Sequence, residues 1–113
     1  MQNNQIDDEF MRLLDIVAPQ NEEETRWNFN EEAIEIIHNM ARPCRETKIF
    51  KANEHKAAEY KAGKNVEDLW MDMIVKVAAA PTRFHAMCTV RLMMPIISEA
   101  INEGRWREPD ERG

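Results

Sequence analysis

Five carboxylates in two predicted helices are spaced in a way that would suit a divalent cation. Glu31, Glu32 and Glu35 lie in one of these helices, and Asp68 and Asp72 lie in the other. Residues three or four apart share a helical face, and magnesium prefers oxygen ligands of this kind. These acids could hold a magnesium ion if the two helices face one another. The alternative is that the acids oppose the helix dipole and are otherwise solvated.

The first of these segments resembles a motif of the MazG-like all-α nucleotide pyrophosphohydrolases. Glu31-Glu32-Ala33-Ile34-Glu35 matches their EExxE pattern as it stands. In that family a second helix with an ExxD pattern completes the magnesium site. Here the second segment is Asp68-Leu69-Trp70-Met71-Asp72, in which the spacing is four residues instead of three. The resemblance implies a magnesium-dependent nucleotide pyrophosphohydrolase as one alternative function.

Two histidines and two cysteines form a second set of candidate ligands. His85 and Cys88 lie three residues apart on one helical face, and His38 and Cys44 lie six residues apart. Tetrahedral zinc accepts such a set. Because these spacings differ from those of zinc fingers, ordinary positions on buried or half-buried helices are the simpler interpretation. We therefore predict no bound metal or cofactor.

A third pattern is basic. Residues 42–64 hold seven basic and three acidic side chains, with Phe50 and Tyr60 between them. A positive strip with interleaved aromatics is typical of nucleic-acid binding, and the turn at Gly63 and Lys64 permits a helix-turn-helix. A small DNA-binding regulator is thus a second alternative. The acids of this range can pair with neighbouring lysines, so direct nucleic-acid binding is disfavoured.

Nucleophilic catalysis has no support in the pattern. The only serine, Ser98, lies in an apolar segment next to Pro95, and the chain has three glycines, too few for a phosphate-binding loop. The sequence thus favours a protein that is not an enzyme.

Length and composition favour one globular domain. The chain has 113 residues, of which 43% are hydrophobic and 32% charged, with a net charge of -6. We predict a single helical domain over residues 1–104 and a polar C-terminal tail over 105–113. Two cysteines are too few for a disulfide framework, and the longest apolar stretch is interrupted by charges, so a cytoplasmic protein without a transmembrane helix is expected.

Hydrophobic periodicity predicts a compact all-α bundle of about five helices. Start and stop signals delimit them: the first runs from about Ile6 to Pro19, the second from Asn30 to Pro43, the third over 45–62 up to Gly63, the fourth from Asn65 to Pro81, and the fifth from Thr82 to about Glu103.

The fifth helix is apolar in nearly every direction, so other elements must surround it. Pro95 in its middle predicts a kink. Either four shorter helices wrap this central helix, or a second copy of the chain covers one flank, and we predict a homodimer. The predicted interface consists of Met87, Val90, Met93, Met94 and Ile97.

The acids concentrate at the N-terminal end, where residues 1–35 hold ten acidic and two basic side chains. Such a face can mask a basic nucleic-acid-binding surface. The leading hypothesis is a non-catalytic interaction module, similar in type to the small inhibitors and regulators of phages and other mobile elements, including anti-CRISPR proteins. Its predicted partner-binding residues are Asp7, Asp8, Asp15, Glu22, Glu23, Glu24, Glu31, Glu32 and Trp106.

Overall fold

The computed structural model describes residues 4–19 and 27–106, and the all-α class is confirmed for this part of the chain. Six helices follow one another there: α1 (Asn4–Val17), α2 (Glu31–Arg45), α3 (Lys48–Ala52), α4 (Glu54–Lys61), α5 (Val66–Ala79) and α6 (Arg83–Asn102).

The count differs from the predicted five because the third predicted helix is divided into α3 and α4. Thr47 caps α3, its side chain accepting a hydrogen bond from the backbone N–H of Phe50. Asn53 separates α3 from α4, and its side-chain amide donates to the carbonyl of Ile49 at 2.7 Å. Short polar side chains that bond to the nearby backbone compete with a continuous helix.

The predicted helix starts are confirmed at three positions. The side chains of Asn30, Asn65 and Thr82 each accept a hydrogen bond from the backbone N–H three residues further on. These bonds satisfy donors that a helix leaves unpaired in its first turn. Gly63 has a φ of +77°, the left-handed conformation predicted for the end of the preceding helix.

Two prolines lie inside helices. The second predicted helix was to end at Pro43, but α2 continues to Arg45. Only its last turn lies beyond the proline, so little backbone bonding is lost. Pro95 lies in the middle of α6, which runs as one helix from Arg83 to Asn102, and the predicted kink is not confirmed.

The core is built around α6. This helix packs mainly against α2 and α5 and also touches α3 and α4, while α1 packs on α2. Residues 93–98 are all buried, whereas 83–85 are exposed. Among the described helices, α6 is also long and apolar enough to cross a membrane, a test that core helices of soluble proteins pass as well.

Candidate functional site

An acidic surface lies across α1 and α2. Arg12 of α1 and Glu32 of α2 form an ion pair of 2.5 Å between the guanidinium and the carboxylate. Asp8 and Asp15 lie one helical turn to either side of Arg12, and both are exposed. What we call the acidic surface consists of the exposed residues Asp8, Asp15, Glu31, Glu32 and Glu35.

The other predicted partner-binding acids are not part of this definition. Asp7 belongs to α1. Glu22, Glu23 and Glu24 lie outside the residues that the structure describes. The acidic surface is therefore defined by the carboxylates of α1 and of the first turns of α2.

Trp106 packs on the folded domain. Its ring lies 5.7 Å from that of Phe29, between centroids, and Phe29 in turn meets the ring of Trp70 edge-on at 5.5 Å. The carbonyl of Arg105 accepts a hydrogen bond of 2.8 Å from the backbone N–H of Val66. Residues 105 and 106, the first two of the predicted tail, thus contact the helical domain. Trp106 is half-buried, so part of it remains open to a partner.

The structure does not bring the candidate magnesium ligands together. Glu32 is paired with Arg12, and the Asp72 carboxylate accepts a hydrogen bond from the Tyr60 hydroxyl. Within residues 4–19 and 27–106, no three acidic, histidine or cysteine side chains lie close enough to hold a metal ion. The candidate site between the two helices is therefore not formed by these residues.

The candidate zinc ligands are also apart. His38 faces Ser98, and Cys44 is buried in α2. His85 and Cys88 lie in the first turns of α6, beyond the part of that helix that meets His38. Burial raises the pKa of the Cys44 thiol, which outweighs the opposing effect of Arg91 and keeps the thiol protonated.

Some basic residues of the predicted positive strip are paired within the domain. Lys61 pairs with Glu99 and, at 3.2 Å, with Glu103. The ammonium of Lys64 lies 4.2 Å from the centroid of the Tyr60 ring. Because α4 packs mainly on α6, the two helices of the proposed helix-turn-helix do not form a compact pair of their own. Lys48 and Lys56 are exposed and are not paired with a carboxylate among the described residues, so a small DNA-binding regulator stays an alternative.

A buried polar contact joins α2 to α6 and was not predicted. His38 Nδ1 lies 2.6 Å from Ser98 Oγ, and the Arg45 guanidinium approaches the same oxygen at 3.5 Å. Arginine can only donate, so the hydroxyl proton is free to be donated to Nδ1 of a neutral imidazole. Ser98 is 1% exposed. A hydroxyl so enclosed cannot attack a substrate, and the contact serves to position the two helices.

His38 makes the stability of the fold sensitive to pH. Burial, with smaller contributions from Arg45 and Arg42, lowers its pKa below the ordinary value of 6.5. The unfolded chain therefore takes up a proton at a pH where the folded chain does not, and the contribution of His38 to stability, present above pH 6.5, is lost as the pH falls. Protonation also turns Nδ1 from an acceptor into a donor, so that the Ser98 hydroxyl has to rotate to accept from it.

We expect His38→Asn to flatten the fall in stability between neutral and mildly acidic pH. Urea unfolding curves measured across this range, followed by circular dichroism, give the free energy of unfolding for both proteins. The same substitution at the exposed His85 controls for the loss of an imidazole. An unchanged pH profile in His38→Asn would show that this histidine does not couple folding to pH.

The predicted dimer interface lies mostly inside one chain. Met87 is half-buried, but the other four members are buried among the helices of a single copy. These four are Val90, Met93, Met94 and Ile97. The homodimer stays a prediction, and its interface would have to use side chains other than these four.

Comparison with known proteins gives no match: no family model, no curated protein and no solved structure is significantly similar to this chain. The functional interpretation therefore depends on the surfaces and contacts of the described residues.

Proposed function

We propose that this chain is a non-catalytic helical interaction module that acts in the cytoplasm through its acidic surface. In this proposal the surface binds a basic, nucleic-acid-binding surface of a protein complex and masks it. The observation that carries the proposal is the array of five exposed carboxylates around a single arginine on α1 and α2. Complementary charge of this kind gives association its rate and its specificity.

The two helices hold these carboxylates in fixed positions. Leu13 of α1 and Ala33 and Ile37 of α2 are fully buried, and the Arg12–Glu32 ion pair links the exposed sides of the same helices. Side chains one turn apart on a helix lie about 5–6 Å from each other at Cβ. A rigid row of anions at this spacing competes with the phosphates of a nucleic acid for lysine and arginine side chains.

By size, charge and the lack of a complete catalytic motif, we place the chain with the small inhibitors and regulators that phages and other mobile elements encode, of which anti-CRISPR proteins are one kind. The likeness is one of type. It sets the class of partner to be tested, namely a complex that handles nucleic acid.

Charge reversal at the acidic surface tests the proposal. Asp15→Lys/Glu35→Lys changes two exposed residues of this surface, and Glu46→Lys/Glu59→Lys changes the net charge equally at exposed positions elsewhere. We expect the first double variant to bind the partner about ten-fold more weakly or worse, and the second to bind nearly as well as the wild type.

The partner is obtained by capture from host lysate on the immobilised wild-type chain, followed by mass spectrometry. Binding is then measured with the purified partner over a range of salt concentrations, together with displacement of labelled DNA or RNA from it. The wild type should displace the nucleic acid and lose affinity as salt rises. Equal displacement by wild type and Asp15→Lys/Glu35→Lys would contradict the proposal.

A further inference from the structure

An apolar groove runs along α6 between α4 and the end of α5. It consists of two adjoining cavities of about 260 and 390 Å³ that share Lys76, Leu92 and Met93. Ala57 and Tyr60 of α4 line the first cavity. Besides the shared residues, the second is lined by Ala79, Ala80, His85 and Thr89.

The groove is open because short elements flank a long helix. In α4, which has only eight residues, no residue is buried. The neighbouring end of α5 presents alanines, which are too small to cover α6. Residues 86–89 and Leu92 are consequently only half-buried, and Phe84, just before His85, is 74% exposed.

The edges of the groove are cationic. Two exposed lysines, Lys56 and Lys76, give the groove this charge, and the imidazole of His85 also lines it. Among the described residues neither lysine is paired with a carboxylate; Lys76 lies 5.7 Å from the centroid of the Tyr60 ring. The nearby carboxylate of Asp72 already accepts a hydrogen bond from the Tyr60 hydroxyl. Burial, together with this bond, raises the pKa of Tyr60 to about 12. The groove is therefore apolar in its floor and positive at its rim.

We infer that this groove docks an amphipathic helix of a partner protein, one that carries acidic side chains beside its apolar stripe. The apolar stripe would lie on Leu92 and Met93, and the acids would meet Lys56 and Lys76. From His85 to Ile96, α6 extends about 16 Å, the length of three turns of a docked helix, which is the usual span of helix-in-groove recognition. A second copy of the chain fits less well, because a symmetric pair would bring two sets of lysines together.

The groove is distinct from the acidic surface of α1 and α2. The groove favours acidic partners, whereas the acidic surface favours basic ones. The inference does not depend on the proposed function. The chain could accordingly join a basic surface on one partner to an acidic helix on the same or another partner.

The test uses a synthetic 18-residue peptide, labelled with fluorescein, that has leucines at helical i, i+3, i+4 and i+7 spacing and glutamates beside them. A matched peptide has lysine in place of every glutamate. We expect the acidic peptide to bind the wild-type chain at least about ten-fold more tightly than the basic one in fluorescence anisotropy. The Asp15→Lys/Glu35→Lys variant should bind it with unchanged affinity, which separates this test from that of the proposed function.

Two variants locate the binding. Lys76→Glu removes a cation of the rim, and Ala79→Trp fills the groove at an exposed wall position. Each should weaken the acidic peptide about ten-fold, while Lys48→Glu, an equal charge change at an exposed residue of α3, should alter its affinity less than about two-fold. Circular dichroism and thermal melting confirm that each variant is folded.

Three results would overturn the inference. They are no binding of the acidic peptide up to about 1 mM, equal binding of both peptides, and affinity that neither groove variant changes. A dimer detected by light scattering that Lys76→Glu and Ala79→Trp dissociate would also overturn it, because the groove would then belong to a second copy of the chain.

Discussion

Replacing Met94 with aspartate is expected to prevent the chain from folding. The Met94 side chain has no exposed surface and lies in the core where α6 meets its neighbours. The substitution places an unpaired carboxylate in an apolar site and removes the packing of a large side chain. Losses of this kind exceed about 4 kcal/mol, a large part of the 5–15 kcal/mol that stabilises a typical domain.

The Met94 result also bears on the predicted homodimer. If Met94 lay at the interface of two folded copies, aspartate there would separate them and leave a folded, helical monomer. Because Met94 is instead buried within one copy, the variant should lose its helical circular dichroism or show no cooperative unfolding in urea.

The matched control is Met11→Asp, at a methionine of α1 that is 59% exposed. It should remain folded and change the free energy of unfolding by less than about 1 kcal/mol. Light scattering of this variant and of the wild type gives the number of copies directly. A soluble, helical monomer from Met94→Asp would contradict the assignment of Met94 to the core.

The sequence predicted the parts of this fold that local chemistry determines. Asn30, Asn65 and Thr82 start helices because their short side chains reach the free N–H groups of the first turn, and neighbouring residues suffice to predict this. The break at Asn53 also comes from a short polar side chain that bonds to the nearby backbone, here to the carbonyl of Ile49. It was missed because lysines and alanines on either side favour a helix and hide the signal.

Contacts between distant residues could not be predicted in the same way. His38 and Ser98 are 60 positions apart, and only the packing of α2 on α6 brings them together. The sequence predicts that the last helix is apolar on nearly every side. Its periodicity cannot show whether helices of the same chain or a second copy of the chain bury those sides. For residues 93–98 the burial comes from the same chain. The candidate sites differ in the same way. The acidic residues of α1 and α2 can be located from the sequence, whereas the groove exists only because α4, α5 and α6 pack together.

Trp70→Ala is expected to destabilise the fold by about 3–5 kcal/mol. Trp70 has no exposed surface, and the rings of Trp27 and Phe29 meet it edge-on, with centroids 6.3 and 5.5 Å away. Truncation to alanine leaves a cavity at the junction of α5 with these aromatic residues, and the loss of both aromatic contacts adds to the cost. Urea unfolding followed by circular dichroism measures the change without relying on tryptophan fluorescence.

Trp70→Phe separates the contribution of the aromatic ring to stability from that of the indole N–H. Within the described part of the chain, the indole Nε1 is buried without a hydrogen-bond partner, so its removal sacrifices no bond and relieves an unsatisfied donor. Phenylalanine retains an aromatic ring for the contacts with Phe29 and Trp27, and a loss below about 2 kcal/mol is expected. A loss from Trp70→Phe as large as that from Trp70→Ala would contradict the assignment of this cost to the packing of an aromatic ring.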